Sequence, residues 1–527
     1  MTTTNPSLTK KELLLVIIAS TLILAWTSIP NWVGYNAQND QLTFRGTFFD
    51  PTDYSVHIAM IQAGMQGEWA YTFRFTTEPQ QAAYIRMFYI VLGEINRLFR
   101  ANPELVFQVA RWLWGYAALV SIFALTRRIF ESRRGQWLAF FLIVFGTGLG
   151  WLQVILNAST TPTDFWLIDA YVLFSLAMFP HFAFTLALMC VALIAYFDYL
   201  RSARWEKIVV VIISAIFVQF VNPIAFILVD ITITAAAFLN WIQKSKINRA
   251  EFVSLAVIAT AQVPLFLYNF ILLSRDPIWS QFTAQNTTPS PPFIDYLWGF
   301  GLLWILAIIG AVRAFRKKSS LLLSFAIWII LAFILAYMPF AIQRRFLLGI
   351  TIPFGVLSTY GLLEFFESLS TKSFWRPSRI AVAMTFVIIA LSMTSIFQVP
   401  AFSFYLMSRP EKYFYPRTLN AAFEWIDTHT APNDFILSDD QTGQLVAQKT
   451  GRRVYLGHLM ETINYTAKVT EVKSYYQDEL PTNWVSQYPI SWVIYGPYEK
   501  QIAPDFQPNP DLELVYQSDD VQIYKVK

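Results

Sequence analysis

Apolar windows of about 20 residues recur along this chain, separated by short basic runs. Nothing else restricts the fold as strongly, because a helix of that length matches the ~30 Å hydrocarbon core of a bilayer. The windows run Leu13 to Pro30, Leu105 to Leu125, Gln136 to Leu156, Pro180 to Tyr199, Ile208 to Val221, Ile224 to Ile242 and Phe252 to Leu273, then Ile294 to Val312, Leu321 to Phe340, Phe346 to Leu363 and Ile380 to Val399. Read as spans, they predict an α-helical polytopic membrane protein with about 11 transmembrane helices. Composition agrees: 55% hydrophobic and only 14% charged residues is not a soluble balance. The small net charge of +4 is spread over the inter-window runs, which excludes a nucleic-acid partner.

Those runs also predict orientation. Lys10/Lys11, Arg127/Arg128/Arg133/Arg134, Arg201/Arg204/Lys207, Lys244/Lys246/Arg249, Arg313/Arg316/Lys317/Lys318 and Lys372/Arg376/Arg379 fall on every alternate side, which the positive-inside rule makes cytoplasmic. The N-terminus is then inside and the C-terminus outside. Parity requires two spans between Ile208 and Ile242, turning at Asn222-Pro223. It allows one from Pro180, which leaves Phe165 to Phe179 as an interfacial or re-entrant segment at the outer face. The first window follows Lys10 and Lys11 like a signal peptide, but no small-residue cleavage site follows it, so an uncleaved helix is expected. Cys190, the single cysteine, lies in an apolar window and rules out an intrachain disulfide.

Two outer stretches are long. The first outer loop, 31–104, carries amphipathic patterns over Asp53 to Met65 and Tyr84 to Phe99, suited to the interface. From Ala401 the composition turns polar, and helix-like stretches (Leu419 to Thr428, Glu461 to Gln477) alternate with strand-like ones (Phe435 to Leu437, Val454 to Leu456, Trp492 to Tyr495, Leu512 to Tyr516, Val521 to Tyr524). The predicted organisation is a transmembrane domain over 1–400, with 157–179 as its second outer loop, and a small extracytoplasmic α/β domain over 401–527.

Carboxylates at the outer face are the first candidates for chemistry: Asp50 and Asp53 after the first span, Asp164 and Asp169 beside the interfacial segment. A carboxylate near lipid is costly unless solvated or paired. The competing role for Asp50 and Asp53 is to cap the helix that starts nearby. His57 and His181 are candidates for a polar site, as metal ligands or proton carriers, against the commoner role of a helix-end histidine bonded to a neighbour. Asp230, inside the sixth window, is as well explained by pairing with a neighbouring helix as by chemistry. Arg344 and Arg345 sit in a short outer loop where the orienting pattern leaves few basic residues. An anion such as a lipid phosphate accounts for them there, with Arg111 as a further member; the alternative is snorkelling to headgroups. HExxH, CxxC, Walker and GxGxxG patterns do not occur.

Several strings carry a family resemblance: FFDPTDYSVHIAMIQAGMQGEW at Phe48 to Trp69, DFWLIDA at Asp164 to Ala170, FPHF at Phe179 to Phe182, QRRFLLGITIPFGVLSTYGL at Gln343 to Leu362 and GRRVYLGHLMET at Gly451 to Thr462. In layout and in these strings the chain resembles the GT-C superfamily of membrane glycosyltransferases, especially bacterial relatives of the protein mannosyltransferase and aminoarabinose transferase group. The resemblance implies transfer of a sugar from a polyprenyl-phosphate-linked donor to an acceptor lipid, glycan or protein, in a cell membrane. It implies a first-loop acid as general base, carried by Asp50 or, second, Asp53, and a second-loop acid, Asp164 or Asp169. Family members usually place the acid close behind the first span, often as an adjacent pair; here about twenty residues and an Asp-Pro-Thr-Asp spacing intervene. A base and phosphate-stabilising cations suffice for a single inverting displacement, with no required cofactor and a divalent cation left open. The alternatives are a membrane transporter, in which Asp230, Arg111 and the outer carboxylates line a path, and a non-catalytic envelope-binding scaffold.

Overall fold

The computed structural model describes residues 9–158, 160–370 and 377–527; Lys372 and Arg376, used above for orientation, lie outside the described residues. The chain forms two compact units, one of Met1–Ile29, Val109–Phe270 and Thr287–Ala401, the other of Pro30–Gln108, Ile271–Asn286 and Phe402–Lys527. Residues 31–104 thus belong to the same unit as the tail, a grouping that differs from the linear division at residue 400.

Every apolar window lies mainly in helical backbone. Among the described residues eight helices are long and apolar enough to cross a membrane, or nine if the bent pair Phe293–Phe300 and Leu302–Arg316 is one crossing. Length explains the difference from eleven. Glu206–Val221 has 16 residues and Ser320–Ala336 has 17, or about 24–26 Å at ~1.5 Å per residue, short of the ~30 Å core.

In the first unit, glycines set the closest contacts. The bent pair turns by 85° at Gly301, whose φ of +47° favours a residue without Cβ. Helices Leu302–Arg316 and Thr351–Ser370 meet through Gly310 and Gly361, where a Cβ would stand 2.1 Å from the Leu357 carbonyl oxygen and 2.3 Å from that of Leu306. Small residues permit this approach where lipid gives apolar faces no reason to hide. Asp230 accepts from Gln262 Nε2 (3.1 Å), and Gln262 Oε1 accepts from Gln219 Nε2 (2.9 Å), so three helices share one polar chain. Helix Arg249–Arg275 instead turns Phe252, Val257 and Phe266 outward, as a lipid-facing helix must.

The segment before Pro180 is broken into Thr163–Trp166, the 3-10 turn Ile168–Ala170 and Val172–Met178, and the last is buried throughout. Its irregular backbone is satisfied by protein. Gln398 Nε2 donates to the Asp164 carbonyl (3.0 Å), the Gly349 N–H to that of Asp169 (2.9 Å) and Ser175 Oγ to that of Ile168 (2.8 Å).

The second unit opens with a two-stranded pairing. Strand β1 (Leu42–Phe44) runs antiparallel to β2 (Phe414–Pro416), with Thr43 opposite Tyr415. A five-stranded sheet follows, formed by β3 (Phe435–Leu437), β4 (Arg453–Val454), β5 (Ile490–Tyr495), β6 (Leu512–Gln517) and β7 (Gln522–Val526) in the order β4-β3-β5-β7-β6. Strands β4, β3 and β5 are parallel; β7 and β6 are antiparallel additions. Helix Asp440–Thr450, absent from the sequence expectation, starts at Asp439, whose side chain accepts from the Gln441 N–H (2.8 Å), and ends at Gly451 with φ of +69°.

The expectation that Asp53 to Met65 lies along the interface as an amphipathic helix needs correction. Helix Pro51–Met65 is a core helix, with its apolar residues buried on nearly all sides. It packs on Phe88–Asn96 so closely that a Cβ on Gly64 would fall 2.2 Å from the Ile90 carbonyl oxygen and one on Gly93 would fall 2.1 Å from that of Ile61. Another face meets helix Asp440–Thr450, where Gln62 and Gln66 donate to the Lys449 and Thr450 carbonyls (2.9 and 3.0 Å). Around Phe88–Asn96 apolar side chains are exposed, from Tyr84 and Val91 to Ile95, Leu98 and Phe99.

Candidate active site

In the second unit, candidate groups gather where helix Pro51–Met65 begins. Asp50 is its N-cap: Oδ1 accepts from Thr52 Oγ1 (2.7 Å) and from the Asp53 N–H (3.2 Å). Pro51 supplies the first helical residue, and Asp50 holds φ +42°, ψ +67°, a left-handed conformation uncommon outside glycine. Burial, and then the Asp53 carboxylate, raise the pKa of Asp50 above the usual carboxylate value.

One turn on, Asp53 keeps 38% of its side chain exposed and meets His458, with Nε2 3.1 Å from Oδ1. His458 arrives on the loop after β4. The N–H groups of Met460 and Glu461 both point at its Nδ1 (3.1 and 3.2 Å), so Nδ1 is an acceptor and Nε2 carries the hydrogen given to Asp53. Burial lowers the His458 pKa, and the Asp53, Glu461 and Asp50 carboxyls more than offset it, so the net direction is upward. A proton on Nδ1 would nevertheless displace two backbone donors, and the neutral Nε2–H tautomer is the form this geometry supports. Behind His458 the buried Glu461 forms an ion pair with Arg86 and accepts from Tyr71 Oη (2.5 Å).

His57, on the same helix, is buried and stacks on Tyr89 at 4.2 Å with an 18° interplanar angle, within the packing against Phe88–Asn96.

The first unit brings together a different set. Asp169, buried, forms an ion pair with Arg345, whose Nη1 lies 3.2 and 3.4 Å from the two carboxylate oxygens. The Arg344 guanidinium lies over the Trp166 ring, 5.0 Å from its centroid. The charges that oppose the orienting pattern are thus met in part by the protein itself. Arg111, fully buried, donates to Ser28 Oγ (2.6 Å), Thr27 Oγ1 (3.3 Å) and the Leu176 carbonyl (3.4 Å).

Asp164 has a positional role. Its Oδ2 accepts from the Gly150 N–H (3.2 Å), and a Cβ on residue 150 would come within 1.9 Å of Oδ1. Burial pushes its pKa up to about 7. His181 packs its ring on Phe182 (4.2 Å) and Phe179 (5.8 Å). No group of three or more His, Cys, Asp or Glu side chains placed to hold a metal ion occurs among the described residues.

No protein-family model and no curated protein sequence matches the chain. Solved structures do. The archaeal oligosaccharyltransferase AglB from Archaeoglobus fulgidus, in complex with an inhibitory peptide and a dolichol-phosphate, superposes with a TM-score of 0.55 at 14% identity, over 93% of this chain and 69% of that one. ArnT from Cupriavidus metallidurans, bound to undecaprenyl phosphate, gives 0.54 at 12% identity over 97% of both chains. The arabinofuranosyltransferase AftD from Mycobacteria gives 0.57 at 12% identity, over 99% of this chain and 40% of that one. The chain has the GT-C fold.

Within this GT-C fold, sequence reasoning missed His458, Glu461, Arg86 and Tyr71. The only signal for the first two was GRRVYLGHLMET, a string with no chemical role attached until the fold brings His458 to Asp53.

Proposed function

We propose that this chain is an inverting membrane glycosyltransferase, moving a sugar from a polyprenyl-phosphate-linked donor to an envelope acceptor. The observation that carries this reading is the likeness over nearly the whole chain to GT-C structures that contain dolichol-phosphate or undecaprenyl phosphate. The acceptor hydroxyl or amine attacks the anomeric carbon as a carboxylate takes its proton. The bond from that carbon to the phosphate oxygen breaks, and the polyprenyl phosphate leaves with the electron pair.

Asp53 is the proposed base. Asp50 has an oxygen committed to capping, whereas Asp53 keeps 38% of its side chain exposed and receives an N–H from His458, which fixes its rotamer. Asp50 is the second choice. Arg344 and Arg345 are proposed to hold the donor phosphate, with Asp169 keeping the Arg345 guanidinium in place; Arg111 joins them if the phosphate reaches its depth. The proposed topology has eleven crossings, with the N-terminus inside and the second unit outside the cytoplasm.

The direct test incubates the purified protein with polyprenyl-phosphate sugars and follows loss of the lipid donor and release of polyprenyl phosphate. No consumption of any donor in the presence of envelope acceptors would overturn the reading. For topology, C-terminal fusions to an alkaline phosphatase should be active and fusions to a fluorescent protein dark; the reverse pattern removes the external assignment.

A further inference from the structure

Strand β3 stands between β4 and β5, parallel to both. From β3 the chain passes through helix Asp440–Thr450 to β4 on one side, then through helix Tyr465–Tyr476 to β5 on the other. Connections that leave in opposite directions part at the carboxyl ends of the strands and open a crevice there, the usual ligand position in open α/β sheets. A cavity of about 320 Å³ occupies this place, lined from the β3 end, from helix Tyr465–Tyr476 and from the segment after β5. It is at the small end of the ~300–1,000 Å³ typical of ligand pockets, room for one ring.

Its walls have a definite chemistry. Gln441, Gln477 and Gln501 present primary amides, Asp439 and Lys473 an acid and a base, and Tyr498 an aromatic ring. An amide offers a donor and an acceptor side by side, which suits neighbouring hydroxyls that are each both. An anion would meet Asp439 together with the fully buried Glu499 behind it, whose Oε1 accepts from the Asp439 N–H (2.8 Å) and Oε2 from the Gly496 N–H (2.9 Å). A cation would meet Lys473. The wall is also preorganised: Arg45, 5% exposed, donates to Gln441 Oε1 at 3.4 Å.

We propose that this cavity binds one uncharged sugar ring of a glycan, with Tyr498 against its C–H face and the glutamine amides on its hydroxyls. The site lies wholly within the second unit and involves none of Asp53, Arg344 or Arg345, so it goes beyond the transferase reading and stands or falls separately from it.

Saturation-transfer NMR tests it on the full chain in lipid nanodiscs, because maltoside detergents carry the ligand class itself. The probes are methyl glycosides of uncharged hexoses and pentoses at millimolar concentration, with glycine and methyl phosphate as controls. Transfer to at least one glycoside and to neither control is expected, with affinity falling at least tenfold in Tyr498→Ala and in Gln477→Ala. Tyr498→Phe and Arg345→Ala should retain it. Gln477→Ala and Tyr498→Phe keep the reading testable if Tyr498→Ala fails to fold. No transfer to any glycoside, transfer unchanged in Gln477→Ala, transfer lost in Arg345→Ala, or preference for glycine would each overturn the assignment.

Discussion

His458 Nε2 donates to Asp53 Oδ1 at 3.1 Å, although 405 residues of chain separate the two. The carboxylate stands at the start of a core helix and the imidazole on a loop held by two backbone N–H groups, so neither partner is free to wander. Such restraint is what a base needs if one oxygen is to face its acceptor in each turnover. It also separates the two aspartates, since Asp50 spends its Oδ1 on the helix cap.

The first prediction compares those aspartates. Asp53→Asn should lower transfer by about 10²–10⁴-fold, the usual size of general-base catalysis, while binding of the lipid donor persists. Asp50→Asn retains an oxygen for the cap and should cost much less. Donor consumption and donor binding measured on both variants decide the assignment, and near-normal turnover by Asp53→Asn would move the base to Asp50.

His458 acts through Asp53 and is a positioning residue. Its N–H favours the charged carboxylate, so His458→Ala should move the acid limb of the kcat profile to higher pH. Turnover at the optimum should drop roughly ten- to a hundredfold, as for loss of a hydrogen bond to a charged group, with the donor KM unchanged. A merely structural histidine would lower the amount of folded enzyme without shifting the profile.

For the arginine pair, Arg344→Lys and Arg345→Lys should already weaken donor use, because a point charge replaces a planar two-point fork. Alanine at either position should cost about 1.5–3 kcal/mol per charge-assisted bond lost, or roughly ten- to a hundredfold in affinity. Arg345→Ala also leaves the buried Asp169 without this partner, so its thermal stability should fall where that of Arg344→Ala does not. Binding of a polyprenyl phosphate to the folded double-alanine variant is the measurement, and unchanged affinity removes the phosphate role.

Asp439 sets a pH dependence in the second unit. Burial, Asp440 and Glu499 push its pKa up to about 7, against ~3.9 for an unfolded aspartate. Between those values the folded state binds the extra proton, so its contribution to stability is complete below about pH 4 and is lost as pH rises through 7. Asp439→Asn cannot ionise and still caps its helix. Thermal unfolding should find it more stable than the parent at pH 8 and no more stable at pH 4.

Much of this was legible in the sequence, for reasons that differ by element. Apolar windows announced helices because length and hydropathy are local properties. Strand Phe435–Leu437 was placed to the residue by its apolar run between polar turns. Asp50 and Asp53 were found through their string, but the capping of one and the pairing of the other depend on a partner or backbone geometry that spacing does not encode. The bend at Gly301 rests on a neighbour's approach, since a Cβ on Gly148 would lie 2.0 Å from the Trp298 carbonyl oxygen. Helix Asp440–Thr450 did carry local signals, an Asp N-cap and a closing Gly451, and its polar sequence hid them because its burial comes from contacts remote in the chain.

The pairing of β1 with β2 sets a timetable for biosynthesis. Leu42 to Phe44 leave the ribosome early, yet their partners, Phe414 to Pro416, are made only after most of the chain. At roughly 5–20 residues per second the wait is on the order of tens of seconds. Through that interval helix Pro51–Met65 already has Phe88–Asn96 to pack on but lacks its second partner, helix Asp440–Thr450, so the face that this helix covers stays open. Nascent chains stalled before Phe414 should therefore engage chaperones on the side of the membrane where this loop emerges, and release them once the tail has been translated.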